Sequence, residues 1–192
     1  MSSDRRVSAL PSCVACGFDR ELSTALASIP YAGLSVVALA YRADAVTRPL
    51  DGYGYLVTGG EDLSTLGVLW ESTIFPNRAP QGWVLLRVML GGARRPEVAA
   101  FDDRMLADLA ASEAAGVLGI KGSPARQWIC RWPSAIAQYT VGHDARIATI
   151  KRLTATHHGL HFCGTAYDGV SFNDAIASAR KTAHAIVEEL AA

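Results

Sequence analysis

The C-terminal segment, residues 159 to 192, constrains the fold of this chain more than any other. It opens with a short apolar stretch that predicts a strand, continues through a turn bounded by Gly164 and Gly169, and ends in a long helical run. Ser171, Asn173 and Asp174 are good capping residues at the point where we expect the helix to begin. The first amides of such a helix lack intrahelical partners and lie at the positive end of its dipole. We therefore expect an anion or an electron-rich ring edge in front of them.

The turn and the helix start carry a longer pattern, Gly-Thr-Ala-Tyr-x-Gly-Val-x-x-Asn-Asp-x-Ile-x-Ser, which runs from Gly164 to Ser178. This pattern resembles the C-terminal flavin-binding segment of protoporphyrinogen oxidases, FAD enzymes of haem synthesis within the amine-oxidase-like flavoproteins. The resemblance implies FAD as the cofactor, with backbone amides at the helix start contacting the flavin and its ribityl chain. The cofactor-binding residues that it implies are Gly164, Thr165, Gly169, Val170, Ser171 and Phe172.

Other blocks follow the order of the same family and extend the resemblance over nearly the whole chain. Residues 29–32 and 50–57 are similar to the family's "IPYAS" and "LDGFGFLVP" sequences, and residues 65–80 to its "LGxLxxSxxFPxRAP" block. A Gly-Gly-Ala-Arg sequence at 91–94 and a Trp-Pro-x-Ala-Ile-x-Gln-Tyr-x-x-Gly-His sequence at 132–143 come next. The resemblance implies substrate-binding roles for three residues of these blocks: Trp70, Leu56 and Val57.

The sequence contains no dinucleotide fingerprint, although the family opens with one. No G-x-G-x-x-G follows a first strand. Gly52-Tyr-Gly54 has the first two glycines of the pattern, but the residues that follow do not complete it. The resemblance therefore covers only the C-terminal portion of the family, which predicts a fragment or a shortened relative. It implies a remnant strand of an FAD-binding domain at 1–12, a substrate-binding domain at 13–158, and the last strand and helix of the FAD-binding domain at 159–192.

Hydrophobic periodicity by itself predicts an α+β or α/β protein. Helices are expected at 19–29, 102–118 and 144–156, the first with Asp19 as its cap and the second with Asp102 and Asp103 in its first turn. A continuous apolar run at 34–41 predicts a strand buried on both faces, and a later strand at 127–131 is expected to end at Trp132-Pro133. The resemblance narrows this to an α+β fold derived from α/β. It implies an antiparallel substrate-domain sheet flanked by helices, joined to the terminal strand and helix of a truncated FAD-binding domain.

Composition excludes several function classes. Eighteen basic and eighteen acidic residues cancel, so there is no basic field for nucleic acid. No apolar run approaches the length of a bilayer, and no signal peptide is evident behind Met1, so a cytoplasmic location is expected. The resemblance implies that a membrane surface is one partner, because enzymes of the family often work at membrane surfaces, where their substrate partitions.

Cysteine and histidine spacing predicts no metal site. Cys13-x-x-Cys16 has the spacing of half a zinc site or a redox pair, but Cys130 and Cys163 supply no second pair. The simpler interpretation is that Cys13 and Cys16 are small buried or incidental residues. The histidines do not converge by spacing either.

One tryptophan and three arginines each allow both a structural and a substrate-binding interpretation. Trp70 is either a core residue of a strand or an aromatic surface on which a porphyrin-like ring stacks. Arg78, Arg94 and Arg131 are either surface residues or partners of substrate carboxylates. No catalytic triad is visible and no catalytic residue is assigned, since a flavin would carry the difficult chemistry.

Three functions remain open at this stage. The first is FAD- and oxygen-dependent oxidation of protoporphyrinogen IX, or of coproporphyrinogen III. The second is a non-enzymatic module that binds a porphyrin or another apolar ligand without a complete FAD site. The third is a bare fragment that folds poorly because its apolar surfaces lack their dinucleotide domain; it would aggregate or associate with a chain that supplies the missing FAD-binding half.

Overall fold

The computed structural model describes residue 15 and residues 17 to 191. Cys13, Cys16 and the remnant strand predicted within residues 1–12 lie outside the described residues. The chain divides into two compact units, one formed by residues 32–133 and the other by residues up to 31 together with 134–192. These boundaries differ from the predicted limits at 12 and 158, because the helices near 20 and 145 group with the C-terminal segment. The assignment of FAD-binding and substrate-binding domains stays a prediction.

The described residues contain five helices and one sheet, apart from short 3-10 turns. The helices are α1 (Arg20–Ala27), α2 (Glu71–Ile74), α3 (Asp103–Leu118), α4 (His143–Thr154) and α5 (Phe172–Ala191). The strands are β1 (Tyr31–Arg42), β2 (Gly54–Leu56), β3 (Thr65–Leu69), β4 (Trp83–Gly91) and β5 (Arg126–Ala137), in the spatial order β2-β3-β4-β1-β5. β1 runs antiparallel to β4, β4 to β3 and β3 to β2. The antiparallel sheet with helices agrees with the α+β prediction.

Strand β1 is fully buried on one face only, which corrects the prediction of burial on both faces. Val37, Leu39 and Tyr41 are buried and alternate with half-buried residues. The buried side chains pack in one core with Leu106 and Ala110 of α3. The opposite face carries alanines at 38 and 40, and these small apolar residues made the run look uniformly hydrophobic.

Helix α3 lies in the predicted range because residues next to each of its ends determine where it begins and stops. The Asp102 carboxylate accepts a hydrogen bond from the Met105 amide at 2.8 Å and caps the N-terminus. Gly119 ends the helix in the left-handed conformation with φ 63°. The helix thereby holds a fixed length against the sheet.

Strand β5 continues past Trp132-Pro133 to Ala137, where the sequence predicted an end. Proline removes a backbone donor, which disrupts a central strand but is tolerated at a sheet edge. β5 is the edge strand next to β1, so Pro133 fits within it.

The second unit has its own core, formed by α1, α4 and the chain around residue 160. Leu22 and Leu26 of α1 pack with Ile147, Ile150 and Leu153 of α4. The strand predicted at 160–163 is absent, since these residues form no ladder. An extended segment becomes a strand only when a neighbour supplies hydrogen-bond partners, and no strand lies beside it among the described residues.

Candidate functional site

The start of α5 is capped from within its own sequence. The Asp174 carboxylate oxygen Oδ2 accepts hydrogen bonds from the amides of Val170 at 3.1 Å and Ser171 at 2.9 Å. In return, the Asp174 amide donates to the Ser171 hydroxyl at 3.1 Å. This reciprocal arrangement is a capping box and satisfies amides that the sequence suggested were available to a ligand.

The same hydrogen bonds keep Asp174 ionised. The Ser171 amide and hydroxyl lower the pKa of the Asp174 carboxyl below 3.8, and the Val170 amide adds to this against a small opposing effect of burial. At neutral pH the cap is therefore a carboxylate, with a negative charge at the tip of the helix.

The tip of α5 is open to solvent on its remaining side. No hydrogen bond of the described residues uses the amides of Phe172 and Asn173. The side chains of Val170 and Phe172 are 71% and 81% exposed. Two amides and two exposed apolar side chains are therefore available to a ligand at this tip.

Two glycines of the turn are needed for different reasons. Gly164 has φ 115°, which side chains rarely adopt, and a Cβ there would meet no atom within 4 Å. Gly169 has φ 74°, and a Cβ there would collide with the Asp174 side chain. Gly164 thus leaves open space beside the turn, whereas Gly169 makes room for the cap.

Tyr139 holds the turn in place, a role that sequence reasoning did not assign. Its hydroxyl lies 2.8 Å from the carbonyl oxygen of Thr165 and 3.0 Å from that of Gly169. Its ring stacks on the buried His143 at a centroid distance of 3.8 Å. Burial, followed by the charges of Asp168 and Asp174, raises the pKa of Tyr139, so its hydroxyl stays a donor. The signal was present in the Gln-Tyr-x-x-Gly-His sequence, whose four-residue spacing brings both rings together.

The three predicted substrate-binding residues do not converge. Trp70 is 7% exposed and belongs to the core, and its indole N–H has no acceptor among the described residues. Val57 is also buried, whereas Leu56 is 74% exposed. Leu56 pairs with Gly67, which pairs with Met89, so it lies on the sheet face opposite the core. A single cavity lined by all three is therefore not formed within this unit.

Two of the three candidate arginines have structural partners. Arg94 donates to the carbonyl oxygen of Val57 at 3.3 Å. Arg131 pairs with Asp103 and donates to the carbonyl oxygen of Phe101 at 2.6 Å. Arg78 lies 5.3 Å from the centre of the Phe75 ring and has no carboxylate partner among the described residues. Of these three predicted arginines, Arg78 is therefore the one that stays available for a ligand carboxylate.

Neither a cluster of metal ligands nor a membrane-spanning helix is found among the described residues. There, no three His, Cys, Asp or Glu side chains gather closely enough to hold a metal ion. None of the helices within 17–191 combines the length and apolar character needed to cross a bilayer. Cys130 and Cys163 are free thiols on the surface.

Comparisons with known proteins agree on one family. A family model described as flavin containing amine oxidoreductase matches residues 1–187. Protoporphyrinogen oxidase from Macaca fascicularis is 30% identical over 198 residues, covering 97% of this chain and 41% of that protein. Coproporphyrinogen III oxidase from Propionibacterium freudenreichii is 33% identical over 165 residues, covering 85% of this chain and 31% of that protein.

The fold also matches solved structures. A protein from Exiguobacterium sp. 255-15, assigned as a protoporphyrinogen oxidase, superposes with a TM-score of 0.74 at 22% identity, over 95% of this chain and 40% of that one. Reduced UDP-galactopyranose mutase superposes with a TM-score of 0.60 at 10% identity, over 74% of this chain and 30% of that one. This chain thus spans well under half the length of these proteins.

Proposed function

The chain belongs to the family of flavin-containing amine oxidoreductases, and on that premise we propose that it serves the FAD-dependent oxidation of protoporphyrinogen IX to protoporphyrin IX by oxygen. The observation that carries the proposal is the similarity of nearly the whole chain to porphyrinogen oxidases at about 30% identity. A motif shared with that group lies at the turn and helix start, where the side chains of Val170 and Phe172 are exposed.

The residues at the tip of α5 fit the flavin end of FAD. When bound, the flavin would accept hydride equivalents from the macrocycle and pass electrons to oxygen. The amides of Phe172 and Asn173 are free to donate to the ring edge, and Val170 offers an apolar surface. Tyr139 keeps the turn from Thr165 to Gly169 in one shape, so these donors are held in position before the cofactor arrives.

The tip of α5 cannot hold FAD by itself. A helix terminus stabilises an exposed anion by about 0.3–1 kcal/mol. Micromolar binding requires about 8 kcal/mol. We therefore propose that the pyrophosphate and adenosine half of FAD is bound by a dinucleotide-binding fold that a further chain or segment supplies. The exposed apolar side chains of α5, among them Ile176, Val187 and Leu190, are available for such an association.

Coproporphyrinogen III is the alternative substrate. The relatives include both protoporphyrinogen and coproporphyrinogen III oxidases at similar identity. The two substrates differ in the number of carboxylates on the macrocycle, so basic side chains facing the ligand would distinguish them.

A second candidate function is a non-enzymatic module that binds porphyrin. The observation that favours it is that the Asp174 cap leaves only the amides of Phe172 and Asn173 at the tip of α5 for a cofactor. Such a module would bind the tetrapyrrole and leave oxidation to another protein.

One assay separates the two candidates. The purified chain is mixed in air with protoporphyrinogen IX and with FAD at concentrations up to millimolar, so that even a weak site is filled, and porphyrin fluorescence is followed against a sample with the same FAD and no protein. Oxidation faster than the protein-free rate, and dependent on FAD, supports the enzyme. A rate equal to the protein-free rate with or without FAD contradicts autonomous activity, and porphyrin binding in the same sample then favours the module.

A further inference from the structure

The sheet face opposite α3 carries a groove that is apolar in its floor and basic at its rim. It encloses about 600 Å³, within the range of small-molecule sites. Its lining includes Ala40, Arg78, Trp83, Leu85, Arg126 and Trp128, and none of its lining residues is acidic.

Strand pairing forms the floor. Ala40 of β1 lies opposite Leu85 of β4, so small and branched apolar side chains stand next to each other on this face. Trp128 of β5 is 53% exposed and adds a large aromatic surface at the edge of the sheet. Trp83 is fixed at the other side, where the Arg42 guanidinium lies 5.1 Å from its ring centre. A flat apolar molecule could therefore contact aromatic rings at both ends.

The charges at the rim are uncompensated. Neither Arg78 nor Arg126 has an acidic partner among the described residues. Arg87 projects from the same face, but its Nε lies 2.7 Å from Glu71 Oε1, which neutralises its charge. The groove thus presents two free guanidiniums, and each can bind a carboxylate in a bidentate geometry.

We propose that this groove is a binding site for a tetrapyrrole with two or more carboxylates, with the macrocycle against Trp83 and Trp128 and the carboxylates at Arg78 and Arg126. This rests on the function proposed above and names the part of the chain that recognises the substrate. Sequence reasoning considered only Arg78 of these four residues, because Arg126 and Trp128 carry no motif and meet the others only through strand order.

The test compares protoporphyrin IX with its dimethyl ester, which has the same macrocycle without free carboxylates. The full chain is titrated in one nonionic detergent, and the porphyrin absorbance band is followed. The acid is expected to bind more tightly than the ester. R78Q and R126Q are each expected to weaken binding of the acid about fivefold, the scale of an exposed ion pair, with no effect on the ester. W128L is expected to weaken binding of both ligands.

The matched control is R20Q, which removes an exposed arginine from α1 in the other compact unit. It is expected to change neither affinity, and thermal melts of all variants verify folding. The proposal is overturned if the ester binds as tightly as the acid, or if folded R78Q and R126Q retain the wild-type affinity for the acid. If the acid binds with the same affinity when either arginine is replaced, the groove is not the binding site, but the proposed function is unaffected. The oxidation assay tests that function independently.

Discussion

Asp174 decides how much of the helix tip a ligand can use. Its carboxylate occupies the amides of Val170 and Ser171, two of the six residues that the family resemblance assigns to the cofactor. The sequence offered Ser171, Asn173 and Asp174 as capping residues, but it could not show that Ser171 and Asp174 cap each other and leave only the amides of Phe172 and Asn173 open. That outcome depends on the side-chain rotamer of Asp174 and on the absence of a side chain at Gly169.

The capping box should respond to acid. The pKa of Asp174 is lowered in the folded chain. The stabilisation that the Asp174 carboxylate gives to the fold is therefore complete above the unfolded pKa of 3.8 and is lost as pH falls through the folded pKa. We expect the Ser171 amide resonance in NMR to titrate with a midpoint below 3.8, and D174A to speed hydrogen exchange of the Val170 and Ser171 amides at neutral pH. D168A, which removes a neighbouring acid without such bonds, is the control. A Ser171 midpoint above 3.8 contradicts the hydrogen bonding described here.

Two tryptophans should behave in opposite ways because one is in the core and the other on the surface. Trp70 is 7% exposed and Trp128 is 53% exposed. W70A is expected to lower the free energy of unfolding by about 3–5 kcal/mol, whereas W128A should lower it by less than about 1 kcal/mol. Urea denaturation of the two variants measures this. Equal losses would mean that Trp70 is not a core residue.

Elements with local end signals were predictable from the sequence, and elements that depend on neighbours were not. Helices α1 and α3 begin after Asp19 and Asp102, whose carboxylates accept amide hydrogen bonds at 2.8 Å. The extension of β5 beyond Pro133 and the missing strand at 160–163 depend on what lies beside each segment. The groove on the sheet is of the same kind, since β1, β4 and β5 become neighbours only through the fold.

The cap of α3 offers a test at the scale of one element. D102A removes the side-chain acceptor of the Met105 amide and should lower the free energy of unfolding by about 1 kcal/mol. D108A removes only an exposed partner of Arg104 within the same helix and should cost a few tenths of a kcal/mol. Thermal unfolding followed by circular dichroism compares them. A larger loss in D108A than in D102A would contradict the capping role.

On the scale of the whole molecule, the chain combines a sheet that carries a groove of about 600 Å³ with a helix tip that has two unpartnered amides among the described residues. Its length covers 41% or less of the relatives compared with it, and its sequence offers no phosphate-binding glycine loop. We expect the two parts to differ in autonomy, since the lining of the groove lies within one compact unit, whereas the role proposed for the tip involves only the flavin end of FAD.

Affinity for FAD should accordingly be low. Because the helix tip contributes about 1 kcal/mol, we expect little quenching of flavin fluorescence when micromolar FAD is titrated with the purified chain. Free riboflavin serves as the control for nonspecific quenching. Stoichiometric quenching at micromolar concentration would show that the chain holds the whole cofactor.

Porphyrin binding by the isolated chain is the most direct measure of the central claim, that this chain provides the tetrapyrrole-binding part of a porphyrinogen oxidase. In the absence of FAD, protoporphyrin IX titrated into the purified chain should produce a saturable absorbance change with one molecule bound per chain. A change that never saturates, or no change at all, would contradict the claim.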